Sequence, residues 1–200
     1  MKLKKKYILF ILACIFLIIS LYFISQIYGK YLSAANGTAT IPISRWNIKV
    51  NNQDIKNNSN ISAILKPEFP GNDYIAANVI APTAEGYFDL NFDFSAVDVA
   101  FKYDILFSVA SDSSVSDFIA TSYSVNGGAK TNFPTSEKRI TETFPISSHI
   151  TSRNIRVYVM WNDDVATSTM NNQADTDSAN TTNNVAKFNV NIAFTQITGN

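Results

Sequence analysis

His149, the only histidine in 200 residues, sits in Ile146-Ser147-Ser148-His149-Ile150. A zinc-protease helix needs a second His four residues away, and one His with one Cys cannot supply the usual nitrogen and sulfur ligand sets. Ser147 and Ser148 beside His149 offer two corners of a nucleophilic triad, yet neither carries the glycine pattern of a nucleophile elbow. His149 therefore reads as an ordinary loop or strand-end residue, and no catalytic, cofactor-binding or metal-ligating residue is assigned. Asp163, Asp164, Asp175 and Asp177 place hard oxygen ligands in the segment from Asn162 to Asn184, chemistry that suits Ca²⁺. Asp175-x-Asp177-x-Ala179 fails the EF-hand pattern at its third ligand and lacks the Gly and the distal Glu. A solvated loop is expected there, with Ca²⁺ as the alternative. Trp46 and Trp161 have sugar-stacking chemistry, but each ends an apolar stripe and is expected in a core.

The segment that must place all of this outside the cell comes first. Lys2, Lys4, Lys5 and Lys6 precede an apolar run from Tyr7 to Ile24 broken only by Ser20, and no acidic residue occurs before Asp54. A basic flank stays cytoplasmic while the apolar run enters the bilayer, so everything after about residue 30 is translocated. Ser33 and Ala35 fit the small-x-small rule for cleavage between Ala35 and Asn36. The run also approaches the roughly 20 apolar residues that span a bilayer, so a cleaved signal and a retained anchor are both open. Residues 1–35 are thus a signal peptide or N-terminal membrane anchor, and 36–200 an extracellular domain. Cys14 lies inside the apolar run and has no second thiol to pair with. Five of the 16 Lys and Arg precede residue 36 and all 16 Asp and Glu follow it, which leaves the body at net −5. An acidic body without a basic cluster argues against a nucleic-acid partner.

In the body, period-two alternation dominates. Phe88, Leu90, Phe92 and Phe94 share one parity, and Val99, Phe101, Tyr103, Ile105, Phe107 and Val109 the opposite one, which predicts a hairpin loop at Ser95 to Asp98. Ile155, Val157, Val159 and Trp161 form a third stripe; Ala186, Phe188, Val190, Ile192 and Phe194 form a fourth, and both read as core strands. Weaker strands are expected at Ile61 to Leu65, Tyr74 to Ile80, Phe118 to Val125 and Ile140 to Ile146. Pro70-Gly71-Asn72 and Asn126-Gly127-Gly128 are turn punctuation. Ile41 and Ile43 keep one parity and Trp46, Ile48 and Val50 the other, which predicts a bulge near Ser44 and Arg45. With no sustained helical period after residue 36, the expectation is an all-β fold, an antiparallel two-sheet β-sandwich preceded by one hydrophobic helix. The Asn162 to Asn184 segment interrupts this pattern; its composition favours local side-chain to backbone bonding, with a short helix as an option.

Trp46-Asn47-Ile48-Lys49-Val50-Asn51, Pro70-Gly71-Asn72, Ala81-Pro82-Thr83-Ala84-Glu85-Gly86-Tyr87-Phe88-Asp89-Leu90 and Val157-Tyr158-Val159-Met160-Trp161 appear in that order, and the last strand closes on Phe194-Thr195-Gln196. Together with the export segment, this series resembles the camelysin and TasA family of exported Gram-positive proteins. The resemblance implies a jelly-roll-like sandwich and a biofilm-matrix or surface-fibre subunit in which an N-terminal strand of one copy completes a sheet of the next. Gly37, Thr38, Ala39, Thr40, Ile41, Pro42 and Ile43 would be that donor strand. Self-association or matrix partners, and at least transient membrane contact through the N-terminal segment, follow from it. The export segment departs from the family in its length and in the absence of a specialised signal-peptidase sequence. Two other readings remain at this stage. One is a camelysin-like surface metalloendopeptidase using His149 and loop carboxylates; the other is a monomeric membrane-anchored adhesin binding a ligand through Asn162 to Asn184.

Overall fold

No proline interrupts the first 41 residues, and the apolar run there folds as helix α1, Lys2–Leu32. Its stretch Lys4–Ile24 is long and apolar enough to cross a membrane, as either a signal sequence or an anchor would. The computed structural model describes residues 2–32, 42–56, 65–164, 166–181 and 185–198. The chain forms two compact units, Met1–Ile43 and Ser44–Asn200. The cleavage pair Ala35 and Asn36 lies outside the described residues, as do Gly37 to Ile41 of the donor segment and Ile61 to Ile64. Pro42 and Ile43 are described and carry no strand; Ile43 is 92% exposed.

Among the described residues, the second unit holds nine strands with antiparallel pairing, one short helix and a 3-10 turn at Ile146–Ser148, joined by loops. Its strands are β1 (Trp46–Val50), β2 (Gln53–Asp54), β3 (Glu85–Val97), β4 (Phe101–Val109), β5 (Phe118–Val125), β6 (Thr131–Asn132), β7 (Arg139–Phe144), β8 (Ser152–Trp161) and β9 (Phe188–Gln196). They form one sheet of order β2-β1-β3-β8-β5-β6 and another of order β7-β4-β9. The alternating apolar residues of β3, β4 and β8 are buried as their parity requires, since Phe88 to Phe94, Phe101 to Phe107 and Ile155 to Trp161 all face the space between the sheets.

The Ser95 to Asp98 hairpin is not found. β3 runs on to Val97, and Asp98 to Ala100 carries the chain from one sheet to the other, so β3 and β4 do not pair. Two long aromatic stripes each need an apolar cover, and opposite sheets let them cover each other. Phe92 stacks on Tyr103 at 5.7 Å between ring centroids and Phe94 sits 4.8 Å from Phe101. Arg45 clasps this crossover through a two-pronged contact with Asp98, whose carboxyl that guanidinium lowers to about 2. Ser44 and Arg45 precede β1; the irregularity lies instead between Asn47 and Lys49, opposite Ala96 and Asp93 of β3.

Tyr74 to Ile80 is not a strand either. Asn72 Oδ1 accepts from the backbone N–H groups of Tyr74 and Ile75, a local turn that competes with any ladder and leaves Tyr74 95% exposed. Gly71 turns the chain at φ +72°, and a Cβ there would lie 2.6 Å from the Ala77 nitrogen. Gly71→Ala is therefore expected to cost about 1–3 kcal/mol in urea unfolding, from a left-handed backbone and a clash together. An unchanged midpoint would contradict this turn. Asn126 and Gly127, at φ 50° and 70°, make the primed turn that joins β5 to β6.

Candidate functional site

A two-sheet sandwich has four sheet edges, and each is a row of backbone groups open to pairing unless something blocks it. β2 and β6, the outer strands of the large sheet, are two residues each and too short to template another strand. β7 is flanked by Pro134 and Pro145 and begins at Arg139, directly after Glu137 and Lys138. Behind it, Glu142 and Arg153 point inward and form a part-buried ion pair across the sheets, with the Tyr103 hydroxyl donating to Glu142 at 2.6 Å. Burial pushes the Tyr103 hydroxyl above its ordinary pKa, so it stays a donor. An inward-pointing charge pair of this kind closes a sandwich to an incoming apolar strand.

β9 has none of these devices. It is nine residues long, its outward residues Asn189, Asn191, Ala193 and Thr195 carry no charge, and among the described residues it pairs on one side only, with β4. Phe107 N–H donates towards Lys138 and Ile197 N–H donates to Ala100, so the even residues of β4 bond β9 and the odd ones bond the β7 side. In the β4–β9 register, Phe188, Val190, Ile192, Phe194 and Gln196 face those odd residues. Their N–H and C=O groups therefore point to the free side, with no hydrogen-bond partner among the described residues. The inward side chains of β9 are only half-buried, unlike those of β4. The stripe read as a core strand is an edge strand, because among the described residues none pairs with its far side.

Beside this edge the sandwich is open and apolar. A cavity of about 480 Å³ is lined by Trp46, Ile48, Ile55, Ile192 and Phe194 together with Ser44 and Lys56. Further along β9 a second, of about 190 Å³, is walled by Leu65, Phe88, Phe118, Val159, Phe188 and Val190 among others. The two cavities flank opposite halves of one strand. Sequence reading found the β9 stripe and placed Trp46 at its end of β1; it could not find that they meet at an open edge. Trp46 is accordingly 38% exposed, in edge contact with Phe101, whereas Trp161 is buried as expected.

The other sequence candidates lie apart from one another. His149 takes a left-handed conformation after the 3-10 turn, and its Nδ1 lies 2.8 Å from the Ser147 carbonyl. It precedes β8, while the acidic segment follows β8, and ten residues at about 3.3 Å each separate the two by roughly 30 Å. The structure does not bring His149 and the loop carboxylates together. That segment contains the helix α2, Asn172–Asn180, capped by the Asn171 side chain on Ala174 N–H. Asp164 accepts from Ala166 N–H and Asp177 from the Gln173 amide, so both serve the local fold. Among the described residues no three His, Cys, Asp or Glu side chains group to hold a metal.

Asp117, which the sequence did not single out, holds this segment down. It is buried and accepts from Thr169 N–H, the Thr169 hydroxyl and Met170 N–H at 2.6–2.9 Å. Asp175, also buried, accepts from Trp161 Nε1 at 3.2 Å. Burial pushes the Asp117 carboxyl up, but the amide donors from Met170 and Thr169 outweigh it and leave it below the usual carboxylate range. A lowered folded pKa means the contribution is present above about pH 4 and lost as pH falls through the folded value. Asp117→Asn is expected to speed hydrogen exchange at Thr169 and Met170 at neutral pH, at least about tenfold for a loss near 1.4 kcal/mol. Unchanged exchange there would mean that Asp117 does not anchor the segment. Compared with known protein families, curated proteins and solved structures, the chain matches none.

Proposed function

We propose that this is an exported cell-surface or matrix structural protein whose copies assemble by adding a strand to the β9 edge. The observation that carries this reading is the contrast between edges: β2, β6 and β7 are short, charged or sealed, and β9 is long, uncharged and backed by an apolar groove. Strand addition supplies main-chain hydrogen bonds along β9 and buries alternate apolar side chains in the groove. The resemblance to camelysin and TasA supports the same assembly, with Gly37 to Ile43 as the strand delivered. Export rests on the basic, apolar N-terminal helix.

Intact mass, N-terminal sequencing and electron microscopy of protein from medium and membrane fractions test the proposal. Chains starting near Asn36 that form filaments are the expected result. A full-length chain confined to the membrane and single at all concentrations would refute assembly and leave an anchored surface domain.

A further inference from the structure

The two ends of the sandwich differ in chemistry. At one end the crossover from β3 to β4 lies beside the last residues of β7 and β9: Phe101 stands opposite Phe144 and Gln196, and Ile197 N–H donates to the Ala100 carbonyl at 2.8 Å. The 3-10 turn before β8 completes this end. Between crossover and turn is a cleft of about 300 Å³ lined by Val97, Val99, Phe101, Pro145, Ile146 and Ile150 among others. Ile146 is 60% exposed and Ile197 38%. Residues 95–101, 144–151 and 196–198 hold only two side chains able to carry charge, Asp98, which is paired with Arg45, and His149. At the opposite end Val109 stands opposite Phe188, and Phe118 opposite Trp161. The connecting residues there, 110–117 and 162–187, carry Asp112, Asp117, Asp163, Asp164, Asp175 and Asp177 against Lys187 alone.

We infer that the apolar end is a membrane-contact surface, which seats Ile146, Ile197 and the crossover in the interface of a lipid bilayer and turns the acidic end away from it. Connectivity selects a bilayer as the occupant. The chain enters the body at this end, where Arg45 clasps Asp98, and it comes there from α1, whose stretch Lys4–Ile24 is long and apolar enough to span a membrane. Residues 33–43 link the two, and fully extended they reach at most about 40 Å. The body therefore stays close to any bilayer that holds α1, and the end through which the chain enters is the one with exposed isoleucines.

Charge orients the body in the same sense. An anionic lipid surface repels the six carboxylates of the far end and leaves the near end, with its paired Arg45 and Asp98, free to approach. Ser147, Ser148 and His149 are exposed between Ile146 and Ile150, so the turn that lowers an apolar side chain also brings hydrogen-bonding groups to the headgroups. Lys102, exposed on the outer face one residue beyond Phe101, has a stem long enough to keep its ammonium in water or on a phosphate. The contact forms while α1 is attached and uses the end of the sandwich, whereas the assembly proposed above uses the β9 edge along its side. Each stands or falls without the other.

The test uses the full chain carrying Cys14→Ser, reconstituted in phosphatidylcholine vesicles, with a nitroxide on one introduced thiol at a time. Ile146→Cys and Ile197→Cys report on the apolar end; Tyr74→Cys, on an exposed loop, and Ala179→Cys, on α2, are the comparison. Power saturation in electron paramagnetic resonance measures collisions with oxygen, which concentrates in lipid, and with a water-soluble nickel chelate. For side chains entering about 5–10 Å into the interface, the oxygen-to-nickel ratio at the Ile146 and Ile197 positions is expected to be at least about threefold that at the comparison positions. Ile146→Glu, at an exposed site that leaves the core untouched, should bring the ratio at the Ile197 position down to the comparison level. Ratios at the apolar end no higher than at Tyr74 and Ala179 would overturn the inference. So would few collisions with either reagent at Ile146 and Ile197, which would mark a second copy of the chain as the occupant, or a ratio at Ile197 that Ile146→Glu leaves unchanged.

Discussion

An Ile192→Lys variant is expected to fold but to need a far higher concentration for the filament assembly proposed at β9. Ile192 lies at the middle of β9, its side chain enters the groove beside Ile48 and Ile55, and its backbone N–H and C=O face the free side. A lysine there puts a charge where an incoming strand must bury apolar side chains, and natural sheets guard their edges with inward-pointing charges for this reason. With the groove empty, the ammonium reaches water along its flexible stem, so the monomer loses only the burial of a half-exposed isoleucine. With the groove filled, it has no such exit, and burying an unpaired ammonium costs several kcal/mol. The expected effect is therefore on assembly: the critical concentration rises at least about a hundredfold, equivalent to about 2.7 kcal/mol, while the circular dichroism of the sandwich is retained. Sedimentation over a concentration series, with micrographs of the pellet, measures it. Filaments at the wild-type concentration would remove β9 from the assembly mechanism.

Phe94→Ala should give the largest loss of stability. Phe94 is 1% exposed, and its ring lies within 4.8–6.1 Å of those of Phe92, Phe101, Phe144 and Phe194, so it touches three strands besides its own. Its truncation leaves a cavity between two hydrogen-bonded sheets, which cannot collapse to fill it. A buried Phe→Ala change of this kind costs about 3–5 kcal/mol. For a unit of this size that lowers the thermal midpoint by roughly 10 °C. Ile146→Ala, at a site 60% exposed, should shift it by no more than about 2 °C. Thermal unfolding followed by circular dichroism compares the two, and equal shifts would contradict the aromatic packing between the sheets.

The residues that the sequence located best are those whose surroundings are local. Alternation in Phe88 to Phe94, Phe101 to Phe107 and Ile155 to Trp161 announced inward faces, and Phe118 to Val125 was placed at the limits of β5, because parity depends only on the pleat of one strand. Turns at Gly71 and at Asn126-Gly127 were equally legible, since Gly and Asn tolerate a positive φ through their own local chemistry. Tyr74 to Ile80 misled because its apolar spacing resembles a strand, while the side chain of Asn72 captures the amides that a ladder would need. A short helix in the Asn162 to Asn184 segment was open from composition, but its tether at Asp117 was not foreseeable, since Asp117 and Thr169 are 52 residues apart in sequence.

What the sequence determined by itself was an N-terminal apolar helix long enough for a signal sequence or an anchor, and a two-sheet antiparallel body. The tertiary structure alone decided which stripes face each other and which strand is left at an open edge. Phe92 and Tyr103 could equally have been neighbours in one sheet; only the crossover at Asp98 put them on opposite sheets. The β9 stripe and the Glu142–Arg153 pair acquire their meaning from position, one at an unguarded edge and the other behind a guarded one. Alternation tells a strand which face to bury, but it carries no information on which partner will lie beyond its hydrogen-bonding sides.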